Sequence, residues 1–150
     1  MPYSTKIKVR FGDVDHAGIA YYPNLYHYCH IAFEEFFEEF VGISYPTLVE
    51  REHIGFPTVR VESYFRRPIH YGDVLDVRVG VVRVGESSVT FEFRASRAGE
   101  GDLRFASSHI CVAVDMTTFK PVRVPKFLRE AFQRAGADTE PSEEAPEAPI

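Results

Sequence analysis

A loop-and-helix unit between Arg10 and Phe40, RFGDVDHAGIAYYPN running straight into LYHYCHIAFEEFFEEF, restricts the fold more than any other part of the chain. From Pro23 onward Leu25, Tyr28, Cys29, Ala32, Phe33, Phe36, Phe37 and Phe40 recur at spacings of three and four, the period of one broad helical face. Pro23 is a favoured first-turn residue and Gly42 a natural stop, which predicts about eighteen residues of helix, roughly 27 Å long. Glu34, Glu35 and Glu38 fall largely on the opposite side. Four phenylalanines on one helix need a large partner surface, and a curved sheet wrapped round the helix provides it.

The loop that feeds the helix carries two carboxylates, Asp13 and Asp15. The first N–H groups of a helix lack intrahelical partners and carry partial positive charge, so an oxygen that turns negative during a reaction is stabilised there. A nearby carboxylate can attack the adjacent carbonyl or deprotonate a water beside it. Turn capping is the alternative reading of both acids, since Asp does this often next to Gly.

The string Gly12-Asp13-Val14-Asp15-His16-Ala17-Gly18-Ile19, followed by Tyr21-Tyr22-Pro23-Asn24, resembles the signature of the hotdog-fold acyl-CoA thioesterases of the 4-hydroxybenzoyl-CoA thioesterase type. The match is long and ungapped. It continues more loosely to about Pro125, with Phe65-Arg66-Arg67-Pro68-Ile69 and Tyr71-Gly72-Asp73 as landmarks. The resemblance implies that Asp15 is the catalytic carboxylate, as nucleophile or as general base for water, and that the Tyr22 backbone N–H meets the thioester carbonyl oxygen. It implies an aromatic or short- to medium-chain acyl-CoA substrate with no bound cofactor, coenzyme A being part of the substrate. It also implies a homodimer or homotetramer with active sites at the subunit interface. In the hydroxybenzoyl branch a helix carboxylate reads the ring hydroxyl; the aligned position here is His30, a departure that speaks against 4-hydroxybenzoyl-CoA itself. Gly18 lets the loop fold tightly against substrate, and Asp13 reads as structural, accepting backbone hydrogen bonds. Two other functions compete: a hotdog dehydratase, and a non-catalytic module that binds acyl-CoA or an acyl carrier.

The rest of the chain reads as strands. Ile7, Val9 and Phe11 alternate with Lys6, Lys8 and Arg10, the period of a half-buried strand. After a connecting segment with one helical turn near Thr47 to Arg51, four more strands follow. Val59, Val61, Ser63 and Phe65 share one face of the first. In the next, apolar parity slips from Leu75, Val77, Val79 and Val81 to Val82 and Val84, which predicts a bulge between Gly80 and Val82. Val89, Phe91, Phe93 and Ala95 form the inner face of the third. Leu103 to Asp115 reads as one long last strand, and Pro125 opens a short helix to about Arg134. The expected fold is therefore α+β, one long central helix wrapped by a curved antiparallel sheet of about five strands, over residues 1–135, with an acidic tail at 136–150.

Composition sets the remaining limits. A chain of 150 residues fits one domain that buries most of its apolar surface without staples. The last thirteen residues hold five of the 22 acidic side chains and no Lys or Arg, so the remainder balances at 17 of each sign. That gives no case for nucleic-acid binding, and the tail's Pro, Ala, Ser and Glu read as disordered. Cys29 and Cys111 form no CxxC pair and read as free thiols in a reducing compartment. With no signal-peptide pattern and no apolar run of membrane-span length, a soluble cytoplasmic protein with no membrane partner is expected. His27 and His30 lie one turn apart, but no HExxH pattern or third ligand accompanies them, which argues against zinc. No GxSxG, P-loop or GxGxxG is present.

Overall fold

The computed structural model describes residues 2–136; the expected acidic tail lies outside them after Gly136. The apolar face of helix α1 (Tyr22–Phe36) is buried through Leu25, Tyr28, Cys29, Ala32, Phe33 and Phe36, as its spacing requires. Instead of stopping there, the helix widens into one π-helical turn over Phe37–Val41, which Gly42 closes in the left-handed region at φ 95°. The Gly42 and Ile43 amides both donate to the Phe37 carbonyl. Five more elements complete the helical and minor parts: α2 (Tyr45–Glu50), capped by the Ser44 hydroxyl on the Thr47 amide, α3 (Lys126–Arg134), and the short strands β2 (Ile54–Gly55) and β7 (Val114–Asp115), which pair with each other, besides a 3-10 turn at Phe11–Asp13.

Strands β1 (Tyr3–Lys8), β3 (Thr58–Phe65), β4 (Val74–Val84), β5 (Ser88–Arg97) and β6 (Leu103–Val112) form one antiparallel sheet in the order β1-β4-β5-β6-β3. The helix lies against its concave face. Phe33, Phe36 and Phe37 meet Phe91 of β5, and Phe132 of α3 closes the cluster against Phe36, Phe37 and Phe91. The far side of the helix is tied to β1, where the Tyr3 and Thr5 hydroxyls donate to Glu39 and Glu35. This is the hotdog arrangement, a long helix enclosed by a five-stranded sheet.

Three local expectations change. Phe11 is not a core residue: β1 ends at Lys8, the chain is drawn across by the pair Val9 N–H to Asp73 O and Gly72 N–H to Val9 O, and Phe11 turns outward, 78% exposed, against Tyr71. Val59 leaves the inner face of β3 because the register shifts between Thr58 and Arg60, so Thr58 and Val61 face inward and Val59 is the extra residue. The last strand is broken at Ala113, where the Ala113 amide donates to Ser87 O and the chain leaves β5 to pair as β7 with β2. The expected bulge in β4 is present, with the register shift between Val81 and Arg83.

Candidate active site

Asp13 to Ala20 folds as a miniature hairpin. The Asp15 amide donates to Ile19 O and the Gly18 amide returns to Asp15 O at 2.9 Å, closing a four-residue turn. Gly18 sits at φ 77°, in the left-handed region that glycine enters without steric cost. Antiparallel bridges join Val14 to Ala20 and Ile19 to His70, so the segment holding Tyr71-Gly72-Asp73 is the platform on which the loop rests. Asp73 is buried and accepts from the His70 amide at 2.8 Å.

The two carboxylates separate into different roles. Asp13 accepts from the Arg10 amide at 2.9 Å and from the Tyr28 hydroxyl at 2.7 Å, while its carbonyl accepts from the Tyr21 amide and the Asn24 side chain. Burial and the adjacent Asp13 carboxylate push the Tyr28 hydroxyl well above its ordinary range, which keeps it a donor. Asp15 is exposed at the hairpin tip. Its Oδ1 accepts from the Ala17 amide at 2.8 Å, and its Oδ2 has no partner among the described residues.

The start of α1 adds a donor. Tyr21 is the extended cap residue, the Asn24 amide donates to Tyr21 O, and Pro23 has no N–H to offer. Among the described residues nothing accepts from the Tyr22 amide, so the hairpin delivers the chain to a helix end with one unclaimed N–H. Tyr22, Leu25, Ile69 and Arg104 line a groove of about 330 Å³ beside it, which Arg66 and Arg67 flank. Arg104 is the extra residue where the β5–β6 register shifts. It donates to Pro68 O at 2.7 Å and to Glu100 at 3.1 Å, and its Nε is buried without a partner.

One turn further along α1 a second hollow of about 400 Å³ opens between the helix, β3 and β6. His30 lies on its rim, stacked on Phe33 and bound to Glu34 at 2.8 Å. His16 and His27 are exposed and lie elsewhere. Among the described residues no three His, Cys, Asp or Glu side chains come together as metal ligands.

A polar chain in this hollow escaped the sequence reading. The Tyr26 hydroxyl donates to Ser63 at 3.0 Å, Ser63 and Ser107 share a bond of 2.8 Å, and Ser107 meets His109 Nε2 at 2.8 Å. Burial, with His30 as a lesser cause, lowers the His109 imidazole to about 4. A signal was present: Phe105, Ser107, His109 and Cys111 alternate on one face of β6, and two polar side chains interrupt a core-facing row. Their partner Ser63 is visible only once β3 and β6 are paired, Ser63 opposite Ser107.

A long helix wrapped by a five-stranded antiparallel sheet and entered through the Asp13–Ala20 hairpin is a hotdog fold. The chain belongs to the Thioesterase-like superfamily, whose family model matches residues 9–132. It is similar to a 1,4-dihydroxy-2-naphthoyl-CoA hydrolase of Prochlorococcus marinus, 37% identical over 95 residues, which cover 57% of this chain and 62% of that protein. The chain spans 62–65% of the length of the first four curated relatives it matches. The hydrolase of that name from Synechococcus elongatus is 27% identical over 132 residues, 87% of this chain and 95% of that one. Among solved structures, a gentisyl-coenzyme A thioesterase superposes with a TM-score of 0.76 at 26% identity, over 87% of this chain and 99% of its own. A thioesterase-superfamily protein from Jannaschia sp. superposes at 0.84, also at 26% identity, over 91% and 94%.

Proposed function

We propose that this protein hydrolyses the thioester of an aromatic acyl-CoA to the free acid and coenzyme A. The observation that carries the reading is the unclaimed Tyr22 amide at the start of α1, reached from Asp15 by a hairpin of fixed geometry. A thioester carbonyl laid over that amide places its developing negative oxygen on a backbone donor at the positive end of the helix. Asp15, through its unpartnered Oδ2, then attacks the carbonyl carbon to give an anhydride, or takes a proton from a water that attacks instead. In both routes the C–S bond breaks, the thiolate leaves and takes up a proton, and water supplies the oxygen of the free acid. Aromatic walls in the hollow along α1 suit a ring, and the relatives named for naphthoyl-CoA and gentisyl-CoA act on aromatic acyl groups. Arg66 and Arg67 beside the groove offer cations to coenzyme A phosphates.

The same reading includes self-association. Asp15 and Tyr22 are exposed on the single chain, and β3 ends the sheet with Val59 and Phe65 exposed by 63% and 39%. A second copy laid on that edge covers it; a monomer in sedimentation at micromolar concentration contradicts this. The buried free thiols Cys29 and Cys111 suit a reducing, cytoplasmic setting. No helix among the described residues is long and apolar enough to cross a membrane.

The deciding experiment is thiol release from a panel of aromatic and aliphatic acyl-CoAs by wild type and Asp15→Asn, which keeps the shape and removes the charge. Turnover of an aromatic thioester with a loss of roughly 100-fold or more in the variant is expected. Wild type silent on the whole panel, or an equally active variant, defeats the assignment.

A further inference from the structure

The chain Tyr26–Ser63–Ser107–His109 is more than a staple between strands. It ends at an imidazole on the wall of the 400 Å³ hollow, and Ser107 Oγ also reaches the Glu62 carbonyl at 3.5 Å. The Tyr26 hydroxyl donates to Ser63, Ser63 and Ser107 share a hydrogen bond, and Ser107 holds His109 Nε2, which leaves Nδ1 to donate or accept according to the tautomer. That nitrogen has no partner among the described residues, and it is absent from the buried atoms that lack one, so it is open to the cavity. Around it the walls are mostly aromatic: Phe93 lies edge-on at 4.8 Å and Tyr26 at 6.2 Å, and Phe33 and Phe91 line the same hollow, with Thr58 and Tyr45 as polar neighbours.

From this geometry we infer that His109 is a specificity-determining residue, hydrogen-bonding through Nδ1 to an oxygen substituent on the ring of an aromatic acyl group, with Tyr26, Ser63 and Ser107 as its positioning residues. The inference deepens the thioesterase reading and rests on it for the nature of the ligand. A largely aromatic chamber with a polar group aimed into it selects for a matching substituent, because an unsubstituted ring leaves that group desolvated and unpaired. The imidazole is uncharged at neutral pH, so it accepts a neutral phenol without the penalty of burying a cation. His30, at the helix position aligned with the ring-reading carboxylate of the hydroxybenzoyl branch, is bound to Glu34 and more than half exposed. The group deeper in the chamber is on the sheet.

The test separates binding from turnover. Dissociation constants for benzoyl-CoA, 3-hydroxybenzoyl-CoA and 4-hydroxybenzoyl-CoA are measured by calorimetry on full-length Asp15→Asn protein. The same measurements follow with His109→Phe or Ser107→Ala added, and kcat/KM ratios are taken with Asp15 intact. At least one hydroxylated ester is expected to bind about tenfold tighter than benzoyl-CoA. His109→Phe should bring that ratio within about twofold of unity, and Ser107→Ala, which leaves the imidazole in place but unanchored, should reduce it partly. A ratio near one with His109 present, or a preference that survives both variants, overturns the inference while leaving the thioesterase intact. The expected binding ratios without any turnover by the Asp15 protein would instead refute the hydrolase and uphold the role of His109. Failure of all three esters to bind refutes the assignment of the chamber. Should His109→Phe not fold, Ser107→Ala alone decides.

Discussion

Lowering the pH should cost this protein stability through one residue, His109, and the size of the loss follows from its surroundings. Burial, helped by the neighbouring His30, holds the folded imidazole at about 4 against an ordinary value of 6.5. The unfolded chain therefore takes up a proton between those two values that the folded protein refuses. Stability is complete above about pH 6.5, falls as the pH drops toward 4, and levels off below, where both states are protonated. The full gap corresponds to about 3 kcal/mol at ~1.4 kcal/mol per pH unit. Because one side of the ring opens on a water-accessible cavity, solvent screening reduces the expected loss to about 1–2 kcal/mol. Urea unfolding at fixed protein concentration, at half-unit steps from pH 7.5 to 4, compares wild type with His109→Phe. All other titrating groups are common to the two proteins, so their difference isolates the imidazole. The variant carries a constant offset for the lost bond to Ser107, and its stability should decline less steeply by the stated amount. Curves that stay parallel within about 0.3 kcal/mol would refute the reasoning.

Phe36→Ala removes a fully buried ring that contacts Tyr3, Phe37, Phe91 and Phe132, and calorimetric or urea unfolding should show a loss of about 3–5 kcal/mol. Gly18→Ala meets no neighbouring atom but forces a side chain into φ 77°, so a cost of about 1 kcal/mol is expected; activity should fall further than stability because Asp15 opens the same turn. Burial pushes the thiols of Cys29 and Cys111 up from their ordinary range, and the native protein should resist alkylation at pH 8 until denaturant is added, as mass spectrometry would show.

The helix and its buried face were legible because their signal is local: apolar residues three and four apart need no knowledge of the rest of the chain. The bulge in β4 was legible for the same reason, since the parity of Val81 and Val82 cannot both be honoured by one straight strand. Val59 fails that approach. Its alternation with Val61 is perfect in the sequence, and only the pairing with Cys111 and Ile110 on β6 reveals an extra residue. Phe11 fails because the bonds from Asp73 and Gly72, some sixty residues away, decide where β1 stops. At the site, Asp13, Asp15, Gly18 and Tyr22 sit in one continuous stretch and could be singled out together. The polar chain of the cavity is drawn from α1, β3 and β6, and no window of sequence contains it.

Asp13 ties the beginning of the hairpin, the cap of α1 and the second turn of that helix to a single residue. On the role proposed for Asp15, an alanine scan scored by activity alone is expected to rank Asp13 beside it, and to mistake a bracket for a reagent. The two come apart on a melting curve. Truncating Asp13 leaves the Tyr28 hydroxyl without its acceptor in the core and should lower the melting temperature by several degrees, whereas truncating Asp15 gives up one exposed turn bond and should barely move it. In a library built on this loop, position 15 can be varied freely to ask what chemistry the scaffold tolerates, provided position 13 is held constant.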